Sequence, residues 1–482
     1  MREITDAEAA SYAGGVLFCG PADNIAVTVE RDSRLTGERS IFVGLPGQKN
    51  DGNDFAPAAY ANGCRIFLLS SEAMAFHLRE NHTDASVIFA EDTLKAMQLM
   101  AKNYIAGLDL IRVAVTGSVG KTTTKDMMYR IFSSRYRTVC NFENFNNHIG
   151  VPLTAFRMEE ETEAGIFEMG MNHSGEIHLL ADIVRPQTAA VTNIGTSHIG
   201  NLGSRENIMK AKMEITDFMD GSSALIYNAD NDKLSALKER NVSFRKIPAG
   251  KDTDGNAGIR ISEIVSLGEK GIEFHLSHKE ESCRFVLPLP GIHNAYNAAL
   301  AAAAGLEYGI SLKESARALA GIESNAVRLN VTETHGIQVI NDTYNASPDS
   351  VRAALDVLTE RKARRRVAVL ADMFELGDAS DEYHRSIGCY AAESGVDLLV
   401  AVGQHARHIA AAAAEKMVAD RVFYFENSQD FMKRAHEIIR KGDAVLVKGS
   451  QGQTAGHLLH SRRRLYRRLR PREALRRPRL AH

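Results

Sequence analysis

The sequence predicts an α/β protein in three domains, and three observations carry that prediction. The chain has 482 residues, enough for roughly three domains at about 150 residues each. Short apolar runs with strand spacing alternate with stretches of helical spacing, the pattern of sheets covered by helices. That alternation breaks and restarts near residues 100 and 322. The expected organisation is a small N-terminal α/β domain (1–100), a central domain on a mostly parallel sheet (101–322), a C-terminal α/β domain (323–460) and an Arg-rich tail (461–482) expected to be disordered.

In the N-terminal part, Ile25 to Val29, Ser40 to Val43 and Arg65 to Leu69 read as strands separated by turns such as Gly47-Gln-Lys-Asn-Asp-Gly. A helical stretch from Ala90 to Ile105 leads into Ile111-Arg-Val-Ala-Val-Thr, a buried-strand pattern. A glycine loop and a helix-compatible run from Lys121 to Phe132 follow. Further strands are expected at Gly165 to Met169, Thr188 to Asn193 and Ala224 to Asn228, with polar helical patterns between them. Strands separated by helices imply parallel pairing. Gly291-Ile-His-Asn-Ala-Tyr-Asn-Ala-Ala-Leu opens an Ala-rich helix. Val367 to Leu370, Asp397 to Val402, Arg421 to Phe425 and Ala444 to Val447 then repeat the pattern, which makes the last domain Rossmann-like.

Composition removes several classes. An apolar fraction of 44% and a charged fraction of 24% exclude collagen-like, coiled-coil and wholly disordered chains. The longest apolar run, around Ala298 to Leu306, is too short to span a bilayer. The start, Met1-Arg-Glu-Ile-Thr-Asp, lacks the apolar segment of a secretory signal, so a cytoplasmic location is expected. Five scattered cysteines (Cys19, Cys64, Cys140, Cys283, Cys389), with no C-x-x-C, read as buried thiols. The net charge of -2 hides an asymmetry: residues 461–482 hold ten Arg and one Glu, which leaves 48 basic and 59 acidic residues elsewhere. An acidic body is a poor sequence-independent nucleic-acid binder, so no nucleic-acid partner is expected.

Thr116-Gly-Ser-Val-Gly-Lys-Thr-Thr-Thr, between a strand and a helix, carries the strongest chemical signal. Amides of Gly117, Ser118, Val119 and Gly120 can wrap a phosphate, Lys121 can neutralise it, and the hydroxyl of Thr122 can bind magnesium. Val115 stands where the longer G-x-x-x-x-G-K-[ST] spacing would have its first glycine, so the spacing is the shorter G-x-x-G-K-T. The central domain is therefore read as a P-loop ATPase. Glu168 closes a strand, where a magnesium ligand is wanted, although a lone strand-end Glu is more often a solvated charge. His198 follows another strand, and Lys212 lies on the helix expected from Glu206 to Phe218. Each of the three is weak alone and gains force from the set.

With these motifs in order, the chain resembles the Mur ligases, the ATP-dependent amino-acid ligases of peptidoglycan precursor synthesis. The resemblance rests on Asp32-Ser-Arg, Asp51-Gly-Asn-Asp-Phe, the P-loop, Asn146-Asn-His-Ile-Gly-Val-Pro, Phe167-Glu-Met-Gly and Thr192-Asn-Ile-Gly-Thr-Ser-His. It continues through Ala211-Lys-Met-Glu-Ile, Gly291-Ile-His-Asn-Ala-Tyr-Asn, Asn341-Asp-Thr-Tyr-Asn-Ala-Ser-Pro and Glu375-Leu-Gly with His384. Within the family, the Asp-Thr-Tyr-Asn-Ala-Ser-Pro segment points to joining D-alanyl-D-alanine to UDP-N-acetylmuramoyl-tripeptide. Lysine and diaminopimelate both stay open as the third peptide residue.

The resemblance implies roles. Gly117 to Thr123, Asn297, Arg328 and Asp342 would hold ATP, with Asn297 at the adenine, Asp342 at the ribose and Arg328 at the phosphates. Thr122 and Glu168 would hold one magnesium ion and His198 a second. Lys212, carbamylated by carbon dioxide, would join the metal site as an anion. Asp32, Ser33, Arg34, Asn147, Tyr344 and Asn345 would meet the substrates. Lys121, Glu168, His198 and Lys212 would serve catalysis, in a monomer.

Two rivals remain: a folylpolyglutamate-type ligase, which shares the P-loop and lysine pattern, and an inactive descendant that only binds. The second draws on the end of the chain, where the family continues after Lys448-Gly-Ser-Gln-Gly with Met-Arg-Met-Glu and this sequence reads Gln453-Thr-Ala-Gly-His and then Arg clusters. A shifted reading frame, a solvated extension and an electrostatic anchor are the readings of that end.

Overall fold

A computed structural model describes residues 1–450, except 22, 143 and 324–328. Arg328 and the tail from 461 to 482 lie outside the described residues. Three large sheets, one per domain, follow one another along the chain, and Ile4–Thr5 pairs with Ile25–Ala26 in a small fourth sheet of the N-terminal domain.

The N-terminal sheet has five strands in the order Val16–Cys19, Ser86–Phe89, Ile66–Leu69, Ser40–Val43 and Thr28–Glu30. All its pairs are parallel except the first. Ser40–Val43 and Ile66–Leu69 are buried along their whole length, as expected of parallel strands covered on both faces.

The central sheet has nine strands. Thr138–Cys140, Ala164–Glu168, Ile111–Thr116, Thr188–Val191, Ala224–Asn228, Arg245–Gly250 and Ile259–Ser266 lie side by side in parallel. The order reverses beside Ile111–Thr116, so the C-terminal ends of the strands open a crevice at the P-loop, the usual ligand position in such sheets. Ile272–His278 and Glu281–Leu287 extend the sheet antiparallel. Their inner residues Ile272, Phe274, Leu276, Phe285 and Leu287 are buried while alternate neighbours are not. A mostly parallel sheet is therefore present, with an antiparallel extension.

The C-terminal sheet has six strands: Asn330–Thr334, Ile337–Asp342, Asp443–Lys448, Arg365–Ala371, Leu398–Val402 and Val422–Phe425. Only its first pair is antiparallel.

The helix Thr93–Ala106 begins at Asp92, whose side chain accepts from Lys95 N, a capping bond that sets its start later than Ala90. It packs on Asp6–Ala13 of the N-terminal domain and on Gly150–Ala155 and Glu176–Val184 of the central one. One apolar cluster runs continuously from Ile4, Ile41 and Leu68 through Met97 and Tyr104 to Phe167, Leu180 and Leu225. The C-terminal sheet has its own clusters, with Leu355, Leu370 and Leu446 on one face and Val369, Val400 and Phe431 on the other. Polar contacts join it to the central domain: Ser266 Oγ donates to Glu360 Oε2 at 2.6 Å, Gln338 Nε2 to Glu269 Oε1 at 2.6 Å, and Gly200 N to Glu375 O at 2.8 Å.

The cysteines need a correction. All five are free thiols, but only Cys64 is buried; Cys19, Cys140, Cys283 and Cys389 are partly exposed. Cys19, Cys140 and Cys283 sit on edge strands, which are covered less completely than central ones. Burial pushes the Cys64 thiol up to about 11. Among the described residues, no helix is long and apolar enough to cross a membrane.

Candidate active site

The strand Ile111–Thr116 delivers the glycine loop, and Gly120, at φ +87°, opens the helix Lys121–Ser133. A Cβ on Gly117 would stand 1.8 Å from Thr192 Oγ1, and one on Gly120 would stand 2.6 Å from Asn297 Oδ1. Both positions demand glycine by close approach as well as by backbone conformation. Asn193 Oδ1 accepts from Ser118 N at 3.0 Å and from Val119 N at 2.9 Å. Lys121 Nζ donates to Gly117 O at 2.8 Å, so its charge is held over the loop. Successive amides, a helix start and a lysine form an anion cradle.

Glu168 ends the adjacent strand Ala164–Glu168 and is 1% exposed. Asn146 Nδ2 donates to its Oε1 at 2.7 Å, and Glu168 N donates to Asn141 Oδ1 at 2.5 Å. Its second oxygen, Oε2, is buried with no hydrogen-bond partner, as is Thr122 Oγ1. A buried oxygen without a partner costs about 1–3 kcal/mol. Two beside a phosphate cradle fit a cation. Among the described residues, no three His, Cys, Asp or Glu side chains converge on a metal position. Thr122 and Glu168 thus suit magnesium, which is often held by one or two carboxylates together with substrate phosphates.

His198 sits at φ +64° just before the short helix Ile199–Leu202. Its Nδ1 lies 2.5 Å from Glu375 Oε2 of the C-terminal domain, at ion-pair distance but without hydrogen-bond alignment. Glu375 is itself at φ +62°. His198 holds the Glu375 carboxyl below the usual range. Two non-glycine residues in the left-handed region, in contact across a domain boundary, mark backbone strain at a functional place.

Lys212, on the helix Arg205–Met213, is 1% exposed. Burial first, and the Lys121 charge second, push its pKa far below the ordinary lysine value. Both effects disfavour the protonated amine, the form that cannot act as a nucleophile.

The C-terminal domain supplies the opposite wall. Ser118 to Lys121, Thr123, Asn147, Glu168, His198 and Asn297 line one cleft with Asp342, Tyr344, Asn345, Glu375 and Lys448, and the cavity measures about 370 Å³. Lys448 Nζ donates to Asp342 Oδ2 at 2.5 Å and to Asn345 O at 3.0 Å, so a buried cation fixes both sequence-singled residues. Asn297 Nδ2 donates to Asn294 Oδ1 at 3.0 Å. Asn147 lines the cleft, yet its Oδ1 accepts from Ile149 N and Gly150 N and so caps the helix Gly150–Ala155.

Asp32, Ser33 and Arg34 are not among the cleft-lining residues. Arg34 binds Asp32 through Nε at 2.8 Å and Nη2 at 2.6 Å, which holds the Asp32 carboxyl down at about 2. Asn146, Asn193, Glu375 and Lys448 are functional-site residues that sequence reasoning does not single out. Each lies within or beside a quoted motif, which is the available signal.

The family model for the Mur ligase middle domain matches residues 115–305, and that for the Mur ligase glutamate ligase domain matches 327–451. The chain belongs to the Mur ligase family. Two Mur ligase relatives bear the name UDP-N-acetylmuramoyl-tripeptide:D-alanyl-D-alanine ligase. The one from Bacillus subtilis is 36% identical, with 88% of this chain and 90% of the relative covered. The one from Escherichia coli is 32% identical, with 89% and 92% covered. A Mur ligase crystal structure, MurF from Acinetobacter baumannii, matches with TM-score 0.85 at 29% identity and covers 97% of this chain and 99% of its own.

Proposed function

We propose that this chain is the ATP-dependent ligase that joins D-alanyl-D-alanine to UDP-N-acetylmuramoyl-tripeptide in peptidoglycan precursor synthesis. The observation that carries the reading is the single cleft in which the P-loop and Glu168 face Tyr344 and Asn345. The relatives that share this chain over most of its length carry that activity in their names. Neither the folylpolyglutamate-type reading nor the inactive one is favoured.

A carboxylate is a poor electrophile. The terminal carboxylate of the tripeptide attacks the γ-phosphorus of ATP, an acyl phosphate forms and ADP leaves. The neutral amine of D-alanyl-D-alanine then attacks the acyl carbon, loses a proton and expels phosphate. Lys121 and the loop amides bind the ATP phosphates, where charge develops in the transition state. Thr122 and Glu168, with His198 at a second position, are the residues that would hold magnesium, which would neutralise phosphate charge when bound. Lys212 is not among the cleft-lining residues; a carbamate on it, formed when its amine adds to carbon dioxide and releases a proton, would supply an anion to the site. By the family resemblance Asn297 would meet the adenine, Asp342 the ribose and Arg328, which lies outside the described residues, the phosphates. Asp32, Ser33 and Arg34 would face the UDP-sugar end, and Asn147, Tyr344 and Asn345 would also meet the substrates.

A coupled phosphate-release assay tests this. Phosphate is expected only when the tripeptide nucleotide and D-alanyl-D-alanine are both present. Equal turnover with free D-alanine or glutamate would reject the assignment.

A further inference from the structure

The segment Gly195-Thr196-Ser197 lies between the P-loop and the C-terminal domain and binds both. Gly195 N donates to Ser118 Oγ at 2.9 Å, and Ser197 Oγ donates to Ser118 O at 3.3 Å. Between them, Thr196 donates from N at 2.8 Å and from Oγ1 at 2.9 Å to one oxygen, Oδ2, of Asp349. Asp349 stands in the first turn of the helix Pro348–Thr359, directly after the Tyr344 to Pro348 segment. A Cβ on Gly195 would come 2.3 Å from that same oxygen and 3.3 Å from Ser118 Cβ. Glycine is needed there for the two domains to meet. Nearby, Arg205 Nη2 donates to Ile194 O at 2.6 Å, and the guanidinium is held in its charged form by Asp232 first and by Asp349 to a lesser degree. Other polar contacts between the two domains, among the described residues, include those on the sheet extension, that of Gly200 with Glu375 and the pairing of His198 with Glu375. The Asp349 contact reaches Ser118 of the phosphate cradle through adjacent residues.

We propose that Asp349 is a positioning residue whose carboxylate latches the C-terminal domain onto the P-loop and so shelters the acyl phosphate until the dipeptide amine arrives. The inference rests on the ligase reading above. An acyl phosphate open to solvent is attacked by water, its bond to phosphate breaks, the carboxylate is regenerated and no peptide bond forms. Closure that excludes water prevents this. The anionic carboxylate accepts two hydrogen bonds at once, which favours one domain orientation over many.

The test measures phosphate released per peptide bond formed, alongside kcat and KM for ATP. Wild type is expected to give one phosphate per ligation. Asp349→Ala is expected to release several-fold excess phosphate and to lose kcat by on the order of tenfold, with KM for ATP changed far less, because closure acts after ATP binds. Asp349→Asn keeps an acceptor oxygen and restores most of the coupling. Gly195→Ala drives a methyl group against the carboxylate and uncouples in the same way, while the double variant with Asp349→Ala is no worse than either single one, since the two changes break one contact. If Asp349→Ala does not fold, Gly195→Ala supplies the uncoupled arm and Asp349→Asn the coupled one. One-to-one coupling at wild-type kcat in folded Asp349→Ala or Gly195→Ala overturns the latch. So does equal uncoupling by Asp349→Asn and Asp349→Ala. Absence of any ligation by wild type is a different result, which overturns the ligase reading and takes this inference with it.

Discussion

Lys121 is held over the loop by Gly117 O and Ser118 O, so its charge is in place before a phosphate arrives and little reorganisation is needed. Lys121→Ala is expected to lower turnover by at least ~100-fold, the scale of removing one preorganised donor from a developing charge. Retention of a tenth of the activity in a steady-state assay would reject the role. Lys212 makes a different demand: a neutral amine is what adds carbon dioxide, and burial first, with the Lys121 charge second, shifts it in that direction. Lys212→Ala is expected to be inactive and to regain part of its activity when short carboxylates are added. A folded variant that no carboxylate in a broad screen rescues would refute the carbamate. At this scale, Lys121 and Glu168 are legible in the sequence because a lysine after a glycine loop and a carboxylate at a strand end are local patterns. Asn146 is not legible as the residue that occupies one oxygen of Glu168 and leaves the other over, because that bond joins residues 22 apart. Asp349 is hidden for another reason: an aspartate in a first helical turn reads as an ordinary partner of the helix dipole.

At the scale of elements, the glycine loop is the part whose backbone cannot be altered. An alanine at position 117 meets both a φ of +150° and Thr192 Oγ1. Holding such strain costs about 1–3 kcal/mol, and about 1.4 kcal/mol is tenfold in affinity. Gly117→Ala is therefore expected to weaken ADP binding by at least ~10-fold, as measured by titration calorimetry. Unchanged affinity would mean that the loop does not hold the phosphates. The parallel strands are readable because they are buried on both faces: the sequence reading of Ser40 to Val43, Ile111 to Thr116 and Ala224 to Asn228 coincides with the strands formed. The antiparallel extension is less visible. Along Ile272–His278, polar Glu273, His275 and Ser277 alternate with buried Ile272, Phe274 and Leu276, which breaks the continuous apolar signal that a doubly covered strand gives. The hairpin Asn330–Asp342 is obscured in the same way by Thr332, Glu333 and Thr334 on its outer strand.

For the whole molecule, the three-domain α/β plan is legible from the alternation of strands and helices, but the way the domains join is not. The join between the N-terminal and central domains is apolar and continuous through Met97, Met100 and Tyr104. It is reinforced by Tyr104 Oη donating to Met158 O at 2.6 Å and Gln98 Nε2 donating to His148 O at 2.9 Å. The join to the C-terminal domain rests mainly on polar contacts such as those of Thr196 with Asp349 and His198 with Glu375, with Ile199 as an apolar contact. Apolar interfaces resist relative motion, whereas polar ones permit it. This difference also governs how heat takes the protein apart. Surfaces that share a core melt together, while a body tied on by a few hydrogen bonds can open on its own. Scanning calorimetry of the ligand-free protein is expected to resolve two transitions rather than three, one for the C-terminal domain and one for the other two as a single cooperative unit. Three separable transitions would show that the core through Met97 and Tyr104 does not couple its two sides. With two, truncating Tyr104 should lower the midpoint of the joint transition and leave the C-terminal one where it was, so the seam along which the ligase opens to work is also the seam along which it first unfolds.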